Sequence, residues 1–270
     1  MSRTHVVTWA AIGVLIAAVG LGAPKHPEPP TARLTKLVVE LPSPEVARLT
    51  LRGTALPGGV PSGVTSQVVT VGSDVAIPVA GAPTLSGDPA STSASFDVRL
   101  RDIPERVLSL DSSRLDVRWE GLDAKGAAVA ALAGTLDLGD PGATELPQRK
   151  LYDAYARLSQ VEVTPGLTSV HVGASLSLLN PFGFDIPISR VLATLRVGGK
   201  AIVTVQRPAF RLRAGARSEV PIEQDVGLAD VAGGMAGLLH GDPAALDGEI
   251  VIQTPQGERE VPLHLGAAAQ

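Results

Sequence analysis

From Thr31 onward, apolar and polar residues trade places at every second position, and this restricts the fold more than any other feature of the chain. A strand points successive side chains to opposite faces, so a period of two marks a strand with one buried face. Val170, Val172, Ala174, Leu176 and Leu178 share one face, with Ser169, His171, Gly173, Ser175 and Ser177 on the other. Phe96, Val98 and Leu100 alternate with Asp97, Arg99 and Arg101, and Leu115, Val117 and Trp119 with Asp116, Arg118 and Glu120. Val191, Ala193, Leu195 and Val197 alternate in the same way, as do Val261, Leu263 and Leu265. Turn signals separate the runs: Val197-Gly198-Gly199-Lys200, Arg213-Ala214-Gly215, Asp123-Ala124-Lys125-Gly126 and Thr254-Pro255-Gln256-Gly257. Many short strands at such spacing predict an antiparallel sandwich or barrel.

Two segments break the period. Leu228, Val231, Ala232, Met235, Leu238 and Leu239 follow helical spacing. Gly233, Gly234 and Gly237 weaken that helix by roughly 1 kcal/mol each relative to Ala, so it must rely on packing. Leu228, Val231, Met235 and Leu238 are the candidate lining of an apolar groove between helix and sheet. Arg149–Leu158, with Leu151, Tyr155 and Leu158 on one stripe, is the second predicted helix. It follows the turn Gly139-Asp140-Pro141-Gly142, which is taken as the boundary between two domains.

The order of elements repeats across that boundary. Leu49–Pro57 is similar to Ala174–Pro181, and each leads through a Gly- and Pro-containing loop to a hairpin: Gln67–Val71 with Val75–Val79, and Val191–Val197 with Ala201–Val205. Leu115–Glu120 and Val129–Leu138 then match Leu246–Gln253 and Glu260–Leu265.

Val6–Ala23 carry no charge, about the length of a membrane-spanning helix, roughly 17–25 residues. The stretch also has the form of a secretory signal, with Arg3 before it and small residues at its end. Residues 1–23 are therefore expected to be a signal peptide or a membrane anchor, an N-terminal hydrophobic helix that exports the rest to the periplasm or cell envelope. Residues 24–32 form a spacer, with four prolines in Pro24–Pro30 favouring extended chain.

From about Leu158 to Gly266 the chain resembles the late-embryogenesis-abundant group 2 domain, also called the water stress and hypersensitive response (WHy) domain. The residues that carry the resemblance are Val170–Leu178 leading into Leu179-Asn180-Pro181-Phe182, then Ile186-Pro187-Ile188, the hairpin from Val191 to Val205, the Arg213–Arg217 turn before Val220-Pro221-Ile222, the Leu228–Leu239 helix and the closing hairpin. The resemblance implies a fibronectin-like antiparallel sandwich with one packed helix and a bacterial exported member of the family. It also implies a role in desiccation and stress tolerance with no catalytic motif. The first half enters only through the repeat, and Leu56-Pro57 stands where Asn180-Pro181 stands later. The expected chain is thus mainly β, with two tandem sandwiches over 33–140 and 158–266 and a partly helical linker over 141–157. Independently of any family, Pro181 forces Asn180 out of the helical region and Asn can bond its own turn, so Asn180, Pro181 and Phe182 are read as a structural strand end.

Chemistry is harder to find. With no cysteine there is no disulfide, thiol nucleophile or Cys-ligated metal. A formal charge of −4 and only eight aromatic residues argue against a nucleic-acid binder. His5, His26, His171, His240 and His264 show no paired metal-binding spacing. Gly173-Ala174-Ser175-Leu176-Ser177 lacks the last glycine of a nucleophile elbow. Asp111, Asp116, Glu120 and Asp123 fall on polar faces or turns, where solvation is the default, although a pair could meet in a cleft as acid and base. Arg207, Arg211, Arg213 and Arg217 form a basic cluster open to two readings, a solvated rim or a contact for an anionic lipid or polysaccharide. No catalytic residue, metal or cofactor is expected. The expected function is a stress-protective or structural binding protein of the envelope, with client proteins or lipids as partners and membrane association through residues 6–23. The alternative is a carrier of lipid or another apolar ligand in the groove between sheet and helix. A hydrolase would need a clustered Ser/His/Asp set that no spacing here provides.

Overall fold

The computed structural model describes residues 28–79, 81–111, 113–145, 154–227 and 244–266. The N-terminal hydrophobic segment and the Leu228–Leu239 segment, with Leu228, Val231, Met235 and Leu238, lie outside the described residues. The chain divides into two compact units, Met1–Gln148 and Arg149–Gln270. The described residues are mainly strand, joined in the first unit by two short 3-10 turns, Leu100–Asp102 and Glu105–Ser109.

In the first unit, β1 (Thr31–Ser43), β2 (Val46–Thr54), β6 (Ser91–Arg99) and β5 (Thr84–Gly87) lie side by side in that order. On the other side of β1 come β8 (Ala128–Asp137), β7 (Arg114–Leu122), β3 (Ser66–Val71) and β4 (Val75–Ile77). Alternation holds on β2, β6 and β7, where Ala47, Leu49 and Leu51, Ala94, Phe96 and Val98, and Leu115, Val117 and Trp119 are all buried, while β8 buries Ala130, Ala131 and Leu132 in succession. Each fully buried Val, Leu or Phe contributes roughly 1.5–3 kcal/mol.

β1 belongs to both halves of this strand path. Thr31–Arg33 pair with Ala131–Ala133 of β8, and the rest of β1 pairs with β2. Between the two lies an extra residue: Leu34 opposes Gly53 and Lys36 opposes Arg52, so the pairing skips Thr35. One inserted residue inverts the faces of a strand. Ala32 and Leu34 are buried before the bulge; Leu37, Val39 and Leu41 are buried after it. The crossing brings backbones close, and glycines make room. A Cβ on Gly53 would lie 2.6 Å from the Arg33 carbonyl oxygen and 2.9 Å from Leu132, and one on Gly134 would lie 3.0 Å from the Leu34 oxygen.

Two findings here correct the expectation of purely antiparallel sheets. β1 runs parallel to β8, and β9 (Thr144–Glu145) also pairs parallel to β1. Strand pairing also extends past both ends expected for this domain. Thr31 and Ala32 are strand, and the Ala131 N–H donates to the Pro30 oxygen. The Gly139–Gly142 turn is closed by Ala143 N–H to Asp140, and the Leu37 N–H reaches the Ala143 oxygen.

The second unit contains two antiparallel sheets. One holds β10 (Ala156–Pro165), β11 (Ser169–Leu179) and β15 (Arg217–Gly227) in that order. The other runs β13 (Lys200–Arg207), β12 (Ile186–Val197), β16 (Ala244–Thr254), β17 (Gly257–Gly266), with β14 (Phe210–Leu212) on the start of β12. The hairpin between β12 and β13 turns through Gly198 and Gly199, both at positive φ (54° and 80°), as the tight two-residue turn requires. Of the predicted Arg149–Leu158 helix, Ala156–Leu158 are strand instead, because pairing with β11 satisfies their backbone and buries Leu158.

The two units share a strand order. β4-β3-β7-β8 corresponds to β13-β12-β16-β17, and β1-β2-β6 to β10-β11-β15. Each pair of similar segments in the sequence falls on strands at the same place in the two orders. The units differ in that β5 joins β6 whereas β14 joins β12, in the extra β9 on β1, and in the β1–β8 pairing that makes one sheet of the first unit where the second has two.

Gly53→Val should destabilise the first unit by about 2–3 kcal/mol, because the added atoms meet backbone that cannot move aside. Gly266→Ala, where a Cβ has open space, should stay within about 0.5 kcal/mol. Denaturant unfolding of both variants measures this.

Candidate functional site

The turn after β11 is the one sequence-predicted site that the structure describes. Asn180 is fully buried. A buried carboxamide is costly unless its polar atoms are bonded, and here they are. Its Nδ2 donates to the Phe184 oxygen (2.8 Å) and the Leu212 oxygen (3.0 Å), and its Oδ1 accepts from the Phe182 N–H (3.0 Å). Its own N–H donates to the Ala216 oxygen at 2.9 Å. Pro181 keeps Asn180 out of the helical region as the strand ends. Phe182 and Phe184 are buried and stack with centroids 5.4 Å apart and planes 15° apart. The Gly215 N–H donates to the Phe182 oxygen, and the Ala214 N–H to Asp185 Oδ1, both at 2.9 Å. Asn180, Pro181 and Phe182 thus hold together the end of β11, the start of β12, β14 and the turn before β15. The sequence showed a turn former here, but not its bond to Leu212, a contact that exists only once β14 has docked.

At the matching place in the first unit, Leu56 is buried and its N–H donates to Thr92 Oγ1 at 3.1 Å. A threonine on β6 does there, for one backbone group, what Asn180 does for three.

The two described histidines do not gather. The Nδ1 of His171 on β11 meets Asp225 of β15 at 3.0 Å. The Nδ1 of His264 on β17 meets Asp247 of β16 at 3.0 Å, and Asp247 also pairs with Arg196 at 2.9 Å. Each pair is directly opposed across neighbouring strands, and the two lie in different sheets. His5, His26 and His240 lie outside the described residues. The carboxylates singled out in the sequence serve turns and cross-strand contacts. Asp111 accepts from Ser113, Asp116 from Thr135, Glu120 from Arg118, and Asp123 from the Lys125 and Ala127 N–H groups. Those N–H bonds hold the Asp123 carboxyl below the usual range. Among the described residues no three His, Asp or Glu come together as metal ligands.

The outer face of β11 and β15 is laced by polar contacts. Ser175 donates to Glu219 (2.7 Å), and Arg217 donates to Ser177 (3.1 Å) and to the Ala154 oxygen (3.0 Å). The hydroxyls of Ser177 and Ser175, with a smaller contribution from Arg217, hold the Glu219 carboxyl below its ordinary range. Tyr155, expected on a helix stripe, sits just before β10 instead, with its carbonyl accepting from the Leu179 N–H at 2.7 Å. Its hydroxyl is buried with no partner among the described residues, and burial pushes its pKa up to about 12.

No protein-family model matches the chain, and no curated protein matches it. Solved structures similar to it include an Arabidopsis thaliana protein, 20% identical, covering 42% of this chain and 78% of its own, with a TM-score of 0.36. A late embryogenesis abundant protein is 18% identical, covers 42% of this chain and 67% of its own, and scores 0.31. A protein from Archaeoglobus fulgidus is 8% identical, covers 41% of this chain and 94% of its own, and also scores 0.31. What this chain does is therefore read from its own residues.

Asn180→Ala should cost about 2–5 kcal/mol, since it leaves backbone groups without partners. Asn180→Asp should cost a similar amount, because a carboxylate has no donor for the Phe184 and Leu212 oxygens. Thermal unfolding of both variants checks this. Tyr155→Phe should leave stability at neutral pH unchanged or raise it. A phenol whose pKa rises from 10 to about 12 on folding contributes stability that is whole below pH 10 and is lost as pH climbs toward 12. The Phe variant should therefore lose less stability than the parent over that window, as unfolding at a series of alkaline pH values would show.

Proposed function

We propose that the chain is a non-enzymatic protein of the cell envelope that protects other macromolecules when water is scarce. The observation that carries this is the inward turn of the Asn180 motif. The residues that most resemble the water-stress family spend their hydrogen bonds on their own backbone, as a structural motif does. The resemblance supplies the link to stress tolerance. A rigid β scaffold with cross-strand polar contacts on its outer face offers a hydrated surface that keeps neighbouring molecules from coalescing. Export rests on the uncharged Val6–Ala23 segment, which places the folded part outside the cytoplasm whether the segment is cleaved or retained.

A labile enzyme dried with the full chain should recover more activity on rehydration than with an equal mass of an inert globular protein. Asn180→Asp should protect below its own unfolding temperature and fail above it. His171→Ala and His264→Ala should protect as well as the parent. Recovery no better than with the inert protein would overturn the protective reading. A folded histidine variant that loses protection would overturn the non-enzymatic one.

A further inference from the structure

The second unit carries four arginines in eleven residues, Arg207, Arg211, Arg213 and Arg217, with no acidic residue between them. They lie at the end of the unit that holds the Asn180 turn. Arg207 ends β13, Arg211 lies on β14, Arg213 begins the turn that follows, and Arg217 opens β15. Leu212 is buried while Arg211 and Arg213 on either side of it are exposed, so the strand period turns both outward.

The other two are held in place by neutral acceptors. Arg207 Nε donates to the Pro221 oxygen at 2.6 Å, and Arg217 is held by Ser177 and the Ala154 oxygen. Among the described residues none of the four forms an ion pair, whereas Arg48, Arg118, Arg190 and Arg196 each meet a carboxylate. The nearby acids bond neutral donors instead of the arginines, although they keep their charge. Asp185 accepts from the Ala214 N–H, and Glu219 accepts from Ser175. Asp225 lies further along β15 and faces His171. The result is a strip of four positive charges on a chain whose net charge is −4, with Arg207 and Arg217 positioned by neutral acceptors and Glu219 acting on Arg217 from nearby.

The chemistry of that strip selects phosphate. A guanidinium presents a planar fork of donors that matches phosphate oxygens. Few aromatic residues are present to stack on bases or sugars. The spread of the charges selects a surface over a single ion. Arg207 is anchored at Pro221, four residues along β15 from Arg217, or about 13 Å. Anchors spread over that length of backbone suit the several phosphates of a headgroup layer better than one ion. We infer that this arginine strip docks the second unit onto anionic phospholipid headgroups. This goes beyond protection of clients and can hold or fail independently of it.

The test measures partition of the full chain onto vesicles of phosphatidylglycerol and of phosphatidylcholine. The apolar N-terminal segment contributes to both, so the ratio between them is the readout. The parent should favour the anionic vesicles by about tenfold or more at low salt, with the preference fading as salt rises. Arg211→Gln/Arg213→Gln should bring the ratio close to one with an unchanged melting temperature. Arg213→Gln alone, in an exposed turn, should lower it part-way. Equal partition of the parent, or a folded double variant that keeps the preference, would overturn the inference. Release from anionic vesicles by millimolar inorganic phosphate would overturn it in favour of a discrete phosphate site. Retention on heparin with no preference between vesicles would overturn it in favour of a polysaccharide.

Discussion

One buried carboxamide makes the second unit possible. A chain that leaves one sheet and enters another must turn away from both ladders, and its backbone groups lose their strand partners there. Unbonded and buried, each costs about 1–3 kcal/mol. Asn180 removes that cost by donating to Phe184 and Leu212 and accepting from Phe182. The same bonds place β14 against the start of β12 and set the turn that opens β15. The stacked phenylalanines and the Arg213–Ala216 turn are tied to this residue through the Phe182, Phe184 and Ala216 backbone.

The first unit meets the same requirement by other means. Its β1 changes partners within a single strand, using the bulge at Thr35 and the missing side chains of Gly53 and Gly134. Parallel pairing to β8 and the short β9 then cover that strand. With β1 spanning the two halves, the unit does without an asparagine, and Leu56 with Thr92 suffices at the matching turn. Two units with corresponding strand orders thus depend on different devices. A change at Asn180 and a change at Gly53 damage different units for different reasons.

The surface follows from the alternation that builds the core. Every strand with one buried face has one solvated face, and on β11 and β15 that face is occupied by Ser175, Arg217, Glu219, His171 and Asp225, with Ser177 buried beneath Arg217. Exposed contacts of this kind add little stability, about 0–1 kcal/mol per ion pair. Their effect is to hold polar groups at fixed places in a hydrated layer. That suits a molecule acting through its surface, and it lets a few arginines held by neutral acceptors stand out from an otherwise balanced exterior.

Local pattern in the sequence located most of the long strands, though not β1 or β10, together with the residues those strands bury and much of the order of elements. Period-two alternation is a local property of a strand with one dry face, and glycine turns such as Gly198-Gly199 are local properties of the backbone. Asn180-Pro181 was legible as a strand end for the same reason. The tertiary structure decided the rest. Whether the extra short strand joins β6 or β12, that β1 is bulged and pairs in parallel, that Ala156–Leu158 extend along β11, and that Asn180 reaches Leu212 all depend on backbone groups distant in sequence. Hydrogen-bond partners of that kind exist only after two sheets have met. No periodicity within one segment can encode them.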